Sequence, residues 1–594
     1  MTSTFRRLGT GIAAAALCVS LSSCGLSPAP MGSPSSDPST GATSPEPTED
    51  VTEDVSTVVQ NEPDAKTVSA PAESAEEYLL TEEPMDGVGL SAMAYGYDGG
   101  FNTEEYDTVE ESGFVSTRAT PLSTVSADVD TASYANLRRM LTSGYKVQTA
   151  EERAAKSADD VYGGDYYWYE DYADYDQTIP AGAVRIEEML NYFTYDYATP
   201  EGAEGFATTA RVGACPWNAD TQLLVLGFAT PHESPEVAQK GSNLVFLIDV
   251  SGSMDDPDKL PLLQSAFGEL VEGLGDNDRV SIVTYASGEV VVLEGESGAN
   301  HREIMRAVRS LKADGSTNGE AGLRMAYELA NKHYIEGGVN RIVMASDGDL
   351  NVGMTSESDL HDFVDQKRKD GVYLSVLGFG AGNYKDSKME TLADHGNGSY
   401  HYIDCEAEAK RVFGERLTAN LIPFANDVKV QVEFNPAQIK GYRLIGYENR
   451  TMAAEDFTND EKDAGEVGPE SQFTVAYEIV RTDSAMDIPV PELKYGTGET
   501  TADSGEWLTA KLRYQPIDGG DVQQLETVVS QVTWAEDPGD DWRFAAAVTE
   551  FGMLLRDSEF KGSSSYDSVR ALVTNTDDAA RAEFLDLVDR AQKN

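Results

Sequence analysis

Residues 244–260 read LVFLIDVSGSMDDPDKL: an apolar run that ends in Asp249, with Ser251 and Ser253 following at alternate positions. An uninterrupted apolar run suits a strand buried on both faces, as in a parallel sheet covered by helices. The same rhythm continues around it. Strands at NLVFLID, RVSIVTYA, VNRIVMAS and VYLSVLGFG alternate with helical patterns at KLPLLQSAFGELVEGL, NGEAGLRMAYELANKHY, ESDLHDFVDQKRKDG and AEAKRVFGERLTANL. That alternation predicts a doubly wound, mainly parallel α/β sheet over residues 241–422, and ligands on such sheets sit at the carboxyl ends of the strands.

Three loops at that edge carry oxygen donors. The first holds Asp249, Ser251 and Ser253; the second, DGST, ends in Thr317; the third, MASDGD, places Asp347 after a buried strand. Two carboxylates and three hydroxyls suit Mg²⁺ or Mn²⁺ rather than zinc. Two aspartates only just balance a divalent charge, so a partner's carboxylate is still attracted to an open position. Gly252 and Gly348 let the loops turn tightly.

These residues, in this order, resemble the metal-ion-dependent adhesion site of von Willebrand factor type A domains. The resemblance implies direct coordination by Ser251 and Ser253, direct or water-mediated roles for Asp249, Thr317 and Asp347, and a protein ligand whose Asp or Glu completes the octahedron. It also implies that the last helix of the domain, around Ala407 to Leu421, shifts when coordination changes. The flanks STVSADVDTASYANLRRML, VRIEEMLNYF, DVKVQVEFNPAQIKGYRLIGYENR and RFAAAVTEFGMLLRDSEFKG resemble the bacterial YfbK-like group of lipoproteins carrying this domain.

Strand-like segments lie on both sides of the α/β region, at 207–230 and between 426 and 534, with alternating apolar residues and turn signals. They most simply join into one β-sandwich into which the α/β domain is inserted. Residues 117–240 then form an N-terminal domain of helices and sandwich strands, residues 423–535 the returning strands, and residues 536–594 a helical cap with Phe544, Val548, Phe551 and Leu555 facing inward. Ser133 fits a helix start.

The chain begins with Arg6 and Arg7, an apolar stretch from Leu8 to Leu21, and the tetrad Leu21-Ser22-Ser23-Cys24, which resembles a bacterial lipobox. A leader at 1–23 and lipidation of Cys24 are expected, with the protein held on the extracytoplasmic face of the cell membrane by its lipid alone. Residues 24–116, rich in Ser, Pro, Thr and acids, read as a disordered tether. Across all 594 residues the formal charge is −57, and losing the two leader arginines takes it to −59. Such a charge excludes nucleic acid as a partner.

Of four cysteines, Cys18 leaves with the leader and Cys24 takes the lipid. Cys215 and Cys405 would either form a bridge clipping the segment before the α/β domain to its end, or stand as separate buried thiols. Asp128-Val-Asp-Thr131 spells a phosphatase-like DxDxT, but the preceding LSTVSA is short and polar, and a helix-entry turn using its carboxylates locally accounts for it better. A tyrosine-acid stretch at 161–177 reads as an acidic aromatic loop, and 456–468 as a polar turn. The six histidines show no metal spacing. The centre offers no His, Lys or Glu placed as a base and the chain no GxSxG, so adhesion outranks hydrolysis. A scaffold for envelope complexes is the alternative function.

Overall fold

The structure, a computed structural model, describes residues 104–147, 177–200, 205–232, 240–348, 357–489, 504–517 and 519–594. They fall within one unit of the chain, Ala94–Asn594. In order, β1 (Val115–Ser116) and β2 (Leu122–Ser126) lead to α1 (Ala132–Thr142), α2 (Ile186–Asn191) and the hairpin β3 (Ala207–Ala214) and β4 (Gln222–Ala229). The central domain follows: β5 (Ser242–Asp249), α3 (Leu260–Glu272), β6 (Arg279–Tyr285), β7 (Glu289–Ser297), α4 (His301–Arg309), α5 (Gly319–Lys332), β8 (Val339–Ser346), α6 (Glu357–Lys369), β9 (Tyr373–Phe379), α7 (Asp386–His395), β10 (Tyr400–Ile403), α8 (Glu406–Lys410) and α9 (Leu417–Leu421). The chain returns through β11 (Ala425–Phe434), β12 (Ile439–Ile445), β13 (Thr451–Met452), β14 (Gly465–Val467), β15 (Gln472–Arg481), β16 (Glu506–Pro516) and β17 (Gln523–Ser530) to α10 (Asp540–Arg556), α11 (Tyr566–Leu572) and α12 (Ala579–Lys593).

The central sheet has the order β10-β9-β8-β5-β6-β7, parallel except for the edge strand β7. β5 lies between β6 and β8, so the strand order reverses around it and a crevice opens at its carboxyl end. Every residue of β5 is buried. Leu244, Phe246 and Ile248 pack toward α3 and α4, and Val245 and Leu247 toward α5, α6 and α7. That two-sided burial explains the unbroken apolar run.

Around this domain, two antiparallel sheets, β1-β12-β15-β4-β3 and β13-β2-β11-β16-β17, share one apolar core. The central domain is inserted between β4 and β11. Along β4, Leu224, Leu226 and Phe228 face the sandwich core, whereas Leu223, Val225 and Ala229 face a helical layer. This layer unites α1 and α2 with α10, α11 and α12 in one cluster, centred on Phe193, Phe544, Phe551 and Phe584. The C-terminal helices therefore cover the outer face of a sheet together with the N-terminal ones, and do not cap an end by themselves.

Two expectations are corrected, and the choice between a Cys215–Cys405 bridge and separate thiols is decided for the thiols. Order begins inside the expected tether: Glu105 bridges to Lys385, and Val115 and Ser116 pair with Tyr442 and Gly441 of β12. Residues 24–103 lie outside the described residues, as does 161–176 of the tyrosine-acid stretch. Cys215 and Cys405 are free thiols in different layers, because Cys215 packs with Trp217 in the helical-layer cluster while Cys405 begins α8 of the inserted domain. Burial, then Glu478, pushes the Cys215 thiol up to about 12. Ser133 is not a helix cap; its hydroxyl donates to the Ala183 carbonyl at 2.7 Å and its N–H to Glu188 at 2.8 Å.

Buried charge joins the inserted domain to its frame. Asp130 of the DxDxT turn accepts a 2.8 Å bond from the Tyr400 N–H in β10, and Arg450 reaches Asp130, Glu390 and Asp394. The turn is thus a joint between domains, with a reach beyond its own helix. A cavity of about 250 Å³ lined by Asp128, Asp130, Asp394, Arg450 and Glu466 lies along the seam. At α8, Glu408 accepts from Arg138 at 2.8 Å, Tyr192 at 2.8 Å and Arg411 at 2.7 Å. Burial raises its carboxyl, but Arg411 and Arg138 outweigh burial and hold it down to about 2.

Elsewhere in the seam burial wins. It pushes Asp128, Glu188 and Glu390 up to about 7 and Glu187, beside Glu448 and Arg556, to about 8. These acids keep protons in the fold that the unfolded chain releases near its ordinary carboxyl range. Stability therefore rises as pH falls from about 8 towards 5 and the gain is lost as pH rises through the folded values. Glu408 acts oppositely, below that window. One Glu187 oxygen, Oε2, is buried without a hydrogen-bond partner. Glu187→Gln should raise stability at pH 8 by about 1–3 kcal/mol and flatten the pH profile, measured by thermal unfolding between pH 6 and 8; an unchanged profile would contradict the assignment.

Candidate metal centre

Asp249 ends β5, whose pairing sets Ile248 opposite Ala345 of β8. The next residue on each strand, Asp249 and Ser346, is thereby adjacent, and the Ser346 hydroxyl donates to Asp249 Oδ2 at 3.2 Å. The other oxygen, Oδ1, accepts the Ser251 N–H at 2.8 Å. The carboxylate is 0% exposed. Burial first, and Asp347 in addition, pushes it up to about 6 against the Ser251 and Ser346 hydrogen bonds.

Ser251 and Ser253 place their Oγ atoms 3.0 Å apart. The Thr317 loop is sewn onto theirs: Gly252 N–H donates to the Gly315 carbonyl at 3.0 Å, and Asp314 N–H to the Val250 carbonyl at 2.8 Å. Gly315 and Gly348 both have positive φ, +86° and +98°, at the turns that bring these loops in. Ser253 is exposed and Thr317 partly so, while Asp347 is 2% exposed. The structure thus gathers the loops of all five expected donors at one sheet edge, with Asp249, Asp347 and Ser251 buried, Thr317 partly exposed and Ser253 exposed. Residues 349–356, which follow Asp347 and Gly348, lie outside the described residues.

This donor set fits a hard divalent cation. Among the described residues the buried Asp249 carboxylate, raised to about 6, has no countercharge of its own, and the paired serine oxygens beside it are neutral donors of the kind Mg²⁺ and Mn²⁺ accept.

Two functional residues are not evident from the motif. Ser346 links the loops, since it donates to Asp249 and accepts the Gly348 N–H at 3.1 Å. Lys259, next to the motif, is a residue that the sequence reading did not place here: its Nζ lies 3.1 Å from Asp347 Oδ2 and 2.9 Å from the Ser253 carbonyl. Held as an ion pair, it is a cation of the centre and not a base. A lysine directly preceding a helix, where the dipole disfavours it, was the available signal. The histidines stay outside the centre: His301 meets the Leu274 carbonyl, His333 meets Glu294, and His361 stacks on His395.

A family model for the von Willebrand factor type A domain matches residues 243–415, and one described as uncharacterized protein YfbK, C-terminal, matches 419–593. A third, described as von Willebrand factor, matches 100–155 and 147–225. Uncharacterized protein YfbK of Escherichia coli strain K12 is 36% identical over 506 residues, covering 82% of this chain and 81% of that one. This chain belongs to the YfbK family of von Willebrand factor type A domain proteins.

Outside the YfbK family, inter-alpha-trypsin inhibitor heavy chain H3 of Mesocricetus auratus is 28% identical over 217 residues, 35% of this chain and 24% of that protein. A von Willebrand factor type A structure from Catenulispora acidiphila is 16% identical, covers 66% of this chain and 93% of that one, and has a TM-score of 0.35. Proximal thread matrix protein 1 from the mussel byssus, solved with a zinc-occupied MIDAS motif, is 17% identical over 29% of this chain and 45% of that one, with a TM-score of 0.24.

Ser346→Ala removes a bond to Asp249 without removing a proposed ligand. It should weaken Mn²⁺ binding about 10- to 100-fold, measured by calorimetric titration. An unchanged affinity would show that Asp249 needs no help from β8.

Proposed function

We propose that this chain binds a protein ligand through a divalent ion, Mg²⁺ or Mn²⁺, held by Asp249, Ser251, Ser253, Thr317 and Asp347. The observation that carries this reading is the pair of serine hydroxyls, 3.0 Å apart, set beside a fully buried aspartate. When bound, the ion supplies a Lewis-acidic position facing solvent. Asp249 and Asp347 anchor it from within, while Ser251, Ser253 and Thr317 stay neutral so that a ligand's Asp or Glu carboxylate is not repelled. No turnover is proposed: Lys259 is held as an ion pair with Asp347.

The same reading places the protein on the extracytoplasmic face of the cell membrane, anchored by lipid on Cys24. The leader-like start and the Leu21-Ser22-Ser23-Cys24 tetrad support this. Among the described residues no helix is long and apolar enough to cross a membrane.

The test is capture from envelope and extracellular fractions by the full chain in Mg²⁺ and in EDTA, beside Asp249→Ala. A partner retained only by the wild-type protein with Mg²⁺ supports ligand capture through the ion. Identical partners in all three conditions would contradict it. A partner resident in the same membrane would favour an envelope scaffold over adhesion to another surface.

A further inference from the structure

Lys259 stands at the metal face for a reason that helix stability does not supply. It directly precedes α3, whose N-terminus carries partial positive charge that disfavours a cation. Its side chain is nonetheless buried, 6% exposed, with Nζ 3.1 Å from Asp347 Oδ2, 2.9 Å from the Ser253 carbonyl and 3.7 Å from Asp256 Oδ2. The fold makes room for it. Gly380, at φ +71°, lies against the lysine stem so closely that a Cβ there would overlap its methylenes, and the Gly380 carbonyl is fixed by the Tyr402 hydroxyl.

The buried charges of the proposed centre then have a definite sum; Asp256, whose side chain is 69% exposed, is screened by solvent and stands outside it. Asp249 and Asp347 neutralise a divalent ion, and Lys259 adds one positive charge that shares the Asp347 carboxylate. With the ion alone the centre is cationic; with an acidic ligand's carboxylate it is neutral. Without Lys259, the ion alone would be neutral, and a carboxylate ligand would make the centre anionic.

We propose that Lys259 couples the ion to the acidic ligand: its ammonium competes for Asp347 and weakens binding of the ion alone, while leaving a positive charge that an incoming carboxylate neutralises. This rests on the metal-dependent reading above and names the regulation of that site. The ion and a carboxylate ligand bind as a cooperative pair, and each raises the affinity for the other by the same factor. Lys259 acts through charge and touches the ligand set, so Arg should substitute for it and neutral residues should not.

The experiment is Mn²⁺ titration of the full chain, with and without acetate as the carboxylate probe, for wild type, Lys259→Met, Lys259→Gln and Lys259→Arg. Thermal melts identify any variant that does not fold, and the two neutral substitutions guard against losing one. Removing a unit charge a few ångströms from the ion should tighten binding of Mn²⁺ alone about tenfold in the neutral variants. Acetate should raise Mn²⁺ affinity in wild type and Lys259→Arg, and do so less in Lys259→Met and Lys259→Gln. Neutral variants that bind Mn²⁺ no more tightly than wild type, or retain the full acetate effect, would overturn the proposal. Absence of saturable Mn²⁺ binding in every form, Lys259→Met included, would overturn the metal reading itself and this proposal with it.

Discussion

The buried carboxylate of Asp249 is the constraint around which this protein is arranged. It sits at the carboxyl end of β5, a strand enclosed on both faces, with each oxygen already bonded, one to the Ser251 N–H and one to the Ser346 hydroxyl. Those bonds lower the cost of burial but supply no full charge. The register of β5 on β8 brings Ser346 and Asp347 to it, and backbone bonds from Val250 and Gly252 bring the Thr317 loop. The candidate metal face follows from sheet topology, since these loops leave the ends of neighbouring strands at the point where the strand order reverses.

The frame holds this domain by charge as well as by packing. Asp130 reaches the backbone of β10, Arg450 spans the seam, and Glu408 is clasped by Arg138, Tyr192 and Arg411. The family resemblance implies a single last helix free to shift. Here that segment is α8, a π-turn at Arg411–Glu415 and α9, and its first turn is tied to α1 through Glu408. Moving it would break a buried charge cluster, a strongly unfavourable change when one partner is left behind. The centre is therefore mounted on a braced domain.

Much of this was legible in the chain because burial on two faces leaves a strong mark. The runs 244–248 and 342–345 are apolar for a physical reason, and the acids just beyond them, Asp249 and Asp347, could only lie at the sheet edge. The apolar β4 and β15 also showed themselves as strands, although which face met helices depended on the partner layer. Less visible were β7, whose exposed Val290 and Val291 carry no clear core pattern, and the short β10. Lys259 and Ser346 escaped because their roles depend on pairing register and on a glycine far along the chain. The joint at Asp128 to Thr131 looked local, since nothing in the sequence places Tyr400 or His401 beside it. Cys215 and Cys405 could be paired on paper only because sequence does not say which layer each occupies.

Three loops at the end of β5 are proposed to hold one divalent ion. The most direct measurement is anomalous diffraction from crystals of the protein grown with Mn²⁺. A single strong peak within bonding distance of the Ser251 and Ser253 hydroxyls, with Asp249, Thr317 and Asp347 around it directly or through water, is the predicted result. A peak among the exposed Asp255, Asp256 and Asp258, or none at the sheet edge, would rule this site out.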